Sequence, residues 1–81
     1  MEKEWKKTLK KAFALFEKAC DLNNGGGCFR LGVLYEFGQG VEKNLTKVAY
    51  FYSKACKLGD QEACEARRHL LESFNLFLVF F

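Results

Sequence analysis

The sequence predicts an all-α protein built from two tandem helix–turn–helix units. Three observations carry that expectation. Displacing the chain by 36 positions lays Cys20 on Cys56 and Cys28 on Cys64, and the tripeptide Lys18-Ala19-Cys20 on Lys54-Ala55-Cys56. A self-match at a period of 20–50 residues is the signature of a stacked repeat architecture. Apolar residues recur at steps of three and four, the spacing that lines one face of a helix. Proline is absent and aromatics make up 16% of the 81 residues, which suits packed helices and argues against disorder.

In the first unit Trp5, Leu9, Ala12, Phe13, Phe16, Ala19 and Cys20 form one helical face. Asn23 closes the helix, since asparagine tolerates the left-handed conformation that ends helices, and one period later Gly59 suits the same geometry. Gly25-Gly26-Gly27 reads as the turn. A second helix is expected from about Gly27 to Phe37, with Cys28, Leu31, Gly32 and Tyr35 inward, and Gly38-Gln39-Gly40 breaks it. Asn44 and Asp60 are read as N-caps of the third and fourth helices, their side-chain oxygens accepting from the first free amides. The third helix carries Leu45, Val48, Ala49, Tyr52, Ala55 and Cys56 on one face; the fourth carries Ala63, Cys64 and Leu70.

The copies part company after Cys64. Arg68, Phe74 and Leu76 stand where the first unit has Gly32, Gly38 and Gly40, so the fourth helix lacks a closing loop and is expected to run on through Leu71 and Phe74. The boundaries read as one domain, 1–81, with repeat one at about 6–41, repeat two at about 42–74 and an apolar tail at 75–81. Repeat arrays usually end on a polar outer face. The run from Phe74 to Phe81 does the reverse, which reads as a partner-docking segment or as the edge of a truncated array.

Composition removes some classes. The net charge of +3 owes much to Lys3, Lys6, Lys7, Lys10 and Lys11, the solvated face of the first helix, with no base-reading motif to indicate nucleic acid. No apolar stretch approaches the roughly 20 residues of a membrane span. Met1 is followed by Glu-Lys-Glu-Trp-Lys-Lys, so no secretory leader is read. Four cysteines in so small a chain point the other way, to an oxidising compartment. Zinc would be their competing use, but zinc knuckles are typically spaced Cys-x2–4-Cys, and these pairs are eight positions apart. No metal and no cofactor are therefore expected. His69 reads as a surface residue, and Asn44-Leu45-Thr46, although a glycosylation sequon, reads as a helix cap. Gly38-Gln39-Gly40 follows a helix rather than a strand, so it reads as a loop and not a phosphate cradle.

Gly27 to Gly40 spells Gly-x-x-x-Leu-Gly-x-x-Tyr-x-x-Gly-x-Gly, followed by Val41, Lys47 and Lys54-Ala55. This pattern resembles the Sel1-like repeat, a relative of the tetratricopeptide repeat, over about residues 6–66. The added cysteine pair is similar to that of the Helicobacter cysteine-rich proteins. The resemblance implies a right-handed α/α solenoid with one disulfide in each repeat, Cys20–Cys28 and Cys56–Cys64. It also implies secretion or a periplasmic location, and an adaptor-like architecture that binds a protein or peptide. Aromatic anchors for such a ligand would come from Phe13, Phe29, Tyr35, Tyr50 and Phe51, most of which are also expected to pack between helices.

Some members of the resembled family are described as penicillin-binding proteins with weak β-lactamase activity, which makes a β-lactam or a cell-wall precursor the alternative ligand. Serine β-lactamases use Ser-x-x-Lys, Ser-Asp-Asn and Lys-Thr-Gly. None occurs here, and neither Ser53 nor Ser73 has a lysine three positions on. No catalytic residue is nominated. A second alternative is a non-functional gene fragment.

Overall fold

The computed structural model describes the backbone of residues 2–80 and the side chains of residues 7–72. The side chains of Trp5, Ser73 and the apolar tail lie outside what is described. Four helices follow in order: α1 (Glu2–Asp21), α2 (Gly25–Phe37), α3 (Leu45–Lys57) and α4 (Gln61–Phe80). Each packs on its neighbour in the chain, most extensively α2 on α3. The result is a slab of 43 × 28 × 15 Å.

The 36-residue period extends to the backbone hydrogen bonds. Asn23 N–H donates to Cys20 O and Asn24 N–H to Ala19 O; Gly59 N–H donates to Cys56 O and Asp60 N–H to Ala55 O. Both hairpins thus close through the same helix-terminating pattern, in which an amide beyond the helix reaches back five residues. It requires a positive φ at the residue after the helix. Asn23 adopts φ 64° and Gly59 φ 98°, as the sequence predicts.

The predicted turn Gly25-Gly26-Gly27 is instead the first turn of α2. Asn24 is the reason: its side-chain oxygen accepts from Gly27 N at 2.8 Å, satisfying one of the amides that a helix start leaves open. One period on, Asp60 does the same for Ala63 N at 2.9 Å. Asn44 caps α3, accepting from Lys47 N at 3.0 Å. Gly38, left-handed at φ 64°, ends α2. The fourth helix does run on, to Phe80.

The core consists of Cys20, Cys28, Leu31, Tyr35, Val48, Tyr52, Ala55 and Ala63, with Phe13, Phe16, Phe29, Val33, Phe51 and Leu70 among the half-buried residues packed against it. Leu45, expected inward, is 42% exposed, because it is the first residue of α3 and precedes the stretch that α2 covers. The close approach of α2 and α3 depends on Gly32: a Cβ there would lie 2.6 Å from Tyr52 Cε1 and 2.7 Å from Cδ1. These are ring atoms wedged between helices and have no room to swing aside. Gly32→Ala gains about 1 kcal/mol of helix propensity but overpacks at a typical cost of about 1–3 kcal/mol. A net loss of about 1 kcal/mol is the expected outcome in urea titrations. Gly26→Ala, whose Cβ would meet only the Asn24 Oδ1 at 3.3 Å, should lose less.

Candidate functional site

Both predicted cysteine pairs are disulfides. Cys20 joins Cys28 and Cys56 joins Cys64, with Cα–Cα separations of 4.4 and 4.6 Å. Each ties the last turn of one helix to the first turn of the next. Cys20 and Cys28 are almost wholly buried. All four sulfurs are engaged, leaving no free thiol. The staples and the capped helix starts hold the two inter-helix turns in like geometry.

The aromatic residues nominated as anchors fall into two groups. Phe13 meets Tyr35 edge-on at 5.5 Å, Tyr35 stacks on Phe51 at 5.7 Å, and Phe51 meets Tyr50 edge-on at 5.0 Å. This ladder crosses from α1 through α2 to α3, and Lys47 Nζ lies 5.1 Å from the Tyr35 ring centre. Such ring pairs contribute about 0.5–1.5 kcal/mol beyond their area. Phe29 stands apart, against Tyr52 at 5.4 Å. Tyr35 is buried and Phe13, Phe29 and Phe51 are half-buried; Tyr50, at 61% exposure, is the one set out towards solvent.

One polar contact escaped sequence reasoning. Tyr52 donates its hydroxyl proton to Glu36 Oε1 at 2.7 Å, bridging α3 and α2. Burial, then the hydrogen bond to Glu36, then the charge of that carboxylate push the Tyr52 hydroxyl well above its ordinary 10.0. The folded chain therefore keeps this proton where the unfolded chain gives it up. The stabilisation is complete below about pH 10 and is lost as pH rises from there towards the folded value. Urea denaturation at about pH 9 and about pH 11 should show a steeper alkaline loss in the parent than in Tyr52→Phe. At neutral pH that substitution should cost about 1 kcal/mol.

Glu36 and Tyr52 line a cleft of about 310 Å³ closed on the other side by Ala66, His69 and Leu70 of α4. A second cleft, of about 380 Å³, lies where the N-terminal turns of α2 and α4 meet, among Gly26, Phe29, Arg30, Gly59, Asp60, Gln61 and Glu62. The His69 side chain is 81% exposed and its Nδ1 lies 3.9 Å from Glu72 Oε2. Ser53 is half-buried on α3. Among the described residues no side-chain hydrogen bond or ion pair joins His69, Ser53 and a lysine. Among the described residues no three His, Cys, Asp or Glu side chains group as a metal site, and no helix is long and apolar enough to cross a membrane.

Comparison with known proteins gives a consistent picture. The family model described as Sel1 repeat matches residues 9–24 and 26–60. Its longer match spans α2 and α3, the helix pair with the most extensive packing. HcpC of Helicobacter pylori strain J99 is 72% identical over 32 residues, covering 40% of this chain and 11% of that protein. Beta-lactamase HcpA of the same strain is 50% identical over 46 residues, or 57% of this chain and 18% of that protein. Cytochrome c oxidase assembly factor 7 of Xenopus tropicalis is 38% identical over 55 residues, covering 67% and 24%. Among solved structures, Helicobacter pylori cysteine rich protein B superimposes with a TM-score of 0.69 at 41% identity, over 72% of this chain and 44% of that one. The chain thus spans about a quarter or less of the length of these three curated relatives.

Proposed function

Because the chain belongs to the Sel1 repeat family, we propose that it is a disulfide-stapled scaffold whose surface binds a protein or peptide. The observation that carries the reading is the aromatic ladder. Tyr50 stands exposed at the end of a stack anchored in the core. A ring held in this way offers contact area with little side-chain entropy left to lose on binding, the character of an interface hot spot. An array of random dodecapeptides probed with the oxidised protein tests it. Tyr50→Ala should weaken the bound set about tenfold, the size of a typical hot spot, while the oxidised chain stays folded at the assay temperature. An array that binds no peptide sinks the reading.

A second reading, slow β-lactam hydrolysis, is favoured by the name of the relative HcpA. Chromogenic cephalosporin turnover above that of a heat-denatured control supports it; equal rates dispose of it. The paired cysteines fit an oxidising compartment, and secretion or a periplasmic location goes with either reading. Thiol trapping in fractionated cells tests that: four blocked cysteines without reductant would contradict it. We further propose that 1–81 forms a single folding unit, for which coincident unfolding by fluorescence and circular dichroism is the check.

A further inference from the structure

The two hairpins share one backbone pattern, so a position whose chemistry changes between them stands out. At the junction of α2, α3 and α4 the cleft is lined by Glu36, Tyr52, Ala66, His69 and Leu70. Thirty-six positions earlier, Tyr52, His69 and Leu70 correspond to Phe16, Val33 and Leu34. Phe16 and Val33 are half-buried apolar contacts of the core. The second junction therefore carries a hydroxyl and an imidazole where the first carries two apolar groups, and its cleft lies beside a carboxylate. That carboxylate is held in place: Glu36 accepts from Tyr52, whose own ring is 3% exposed and packed against Phe29.

From this we infer that the Glu36–Tyr52 cleft receives a basic side chain, arginine above all, of the bound peptide. Its volume is at the lower end of the roughly 300–1,000 Å³ of small-molecule sites, so it suits one long side chain. Leu70, Ala66 and the Tyr52 ring provide an apolar wall for the aliphatic stem. The Glu36 carboxylate has one oxygen taken by Tyr52 and lone pairs left for a guanidinium, whose planar fork matches a carboxylate better than a lysine ammonium does. The site deepens the peptide-binding reading and rests on it.

The test uses the full oxidised chain and two tripeptides, acetyl-Ala-Arg-Ala-amide and its uncharged citrulline counterpart, titrated by two-dimensional amide NMR. Saturable shifts centred on Glu36, Tyr52, Ala66 and Leu70 are expected with the arginine peptide alone. Glu36→Gln should weaken them about tenfold, the size of one charge-assisted hydrogen bond, while its amide oxygen still accepts from Tyr52 and the chain stays folded. Glu72→Gln, on the exposed surface, should change them little. Equal shifts with citrulline, or equal losses in the two glutamine variants, overturn the site. The dodecapeptide array separates the two levels. Binding with no enrichment of arginine, undiminished in Glu36→Gln, overturns this cleft and leaves the scaffold standing. Binding of no peptide overturns both.

Discussion

Removing both disulfides should unfold the protein or leave it close to its midpoint. In the chain-entropy account, closing a loop of eight residues stabilises by about 2.5 kcal/mol, so two such loops contribute about 5 kcal/mol. A small domain holds about 5–15 kcal/mol in total, at the lower end for a chain this short. The two staples will not be equal in their effect. Cys20 and Cys28 are 1% and 0% exposed, so opening that pair also disturbs core packing, whereas Cys56 and Cys64 are half-buried. Cys20→Ala/Cys28→Ala should therefore lower the urea midpoint more than Cys56→Ala/Cys64→Ala. The quadruple variant should lose most of its helical circular dichroism at room temperature. Full native signal in the quadruple variant would show that helix packing alone suffices.

Leu31→Ala is the single substitution expected to cost most, about 3 kcal/mol within the 2–5 kcal/mol usual for a buried leucine. Leu31 is 1% exposed and among the largest fully buried side chains. It lies midway along α2, which packs on both α1 and α3, so a void there is flanked by helices already held by close contacts and cannot easily collapse. Leu22 provides the control. It is 74% exposed beyond the end of α1, and Leu22→Ala should stay within about 0.5 kcal/mol of the parent. Urea titrations of the two variants, run with disulfides intact, give the comparison directly.

Much of the fold is legible from periodicity. The repeat register, the left-handed residues Asn23 and Gly59, the caps Asn44 and Asp60 and the break at Gly38 are all local features, and local chemistry decides them. The start of α2 is not read correctly, because three successive glycines look like a turn and glycine is a poor helix former. Asn24 and the staple outweigh that propensity. The 36-residue register itself contains the missing signal, since it pairs Asn24 with the recognised cap Asp60. The aromatic ladder is only partly legible: composition indicates anchors, but which ring faces solvent depends on how α2 lies across α3. The Tyr52–Glu36 pair is illegible from one helix at a time, because its members are 16 positions apart on different elements. Aligning Tyr52 with Phe16 would have marked the hydroxyl as an oddity, though not its partner.

The staples also determine how the molecule bears tension. Each links residues eight apart, so a pull on the two ends runs through sulfur and bypasses residues 21–27 and 57–63. Roughly 25 Å of extended backbone is withheld at each bypass, taking about 3.3–3.6 Å for every residue. The α2–α3 contact, by contrast, has no covalent shortcut. However far a stretched chain opens, each hairpin keeps its inter-helix turn. Resistance to separation of the two hairpins, beyond the connecting loop, rests on Leu31, Tyr35, Val48, Tyr52 and the close seat at Gly32.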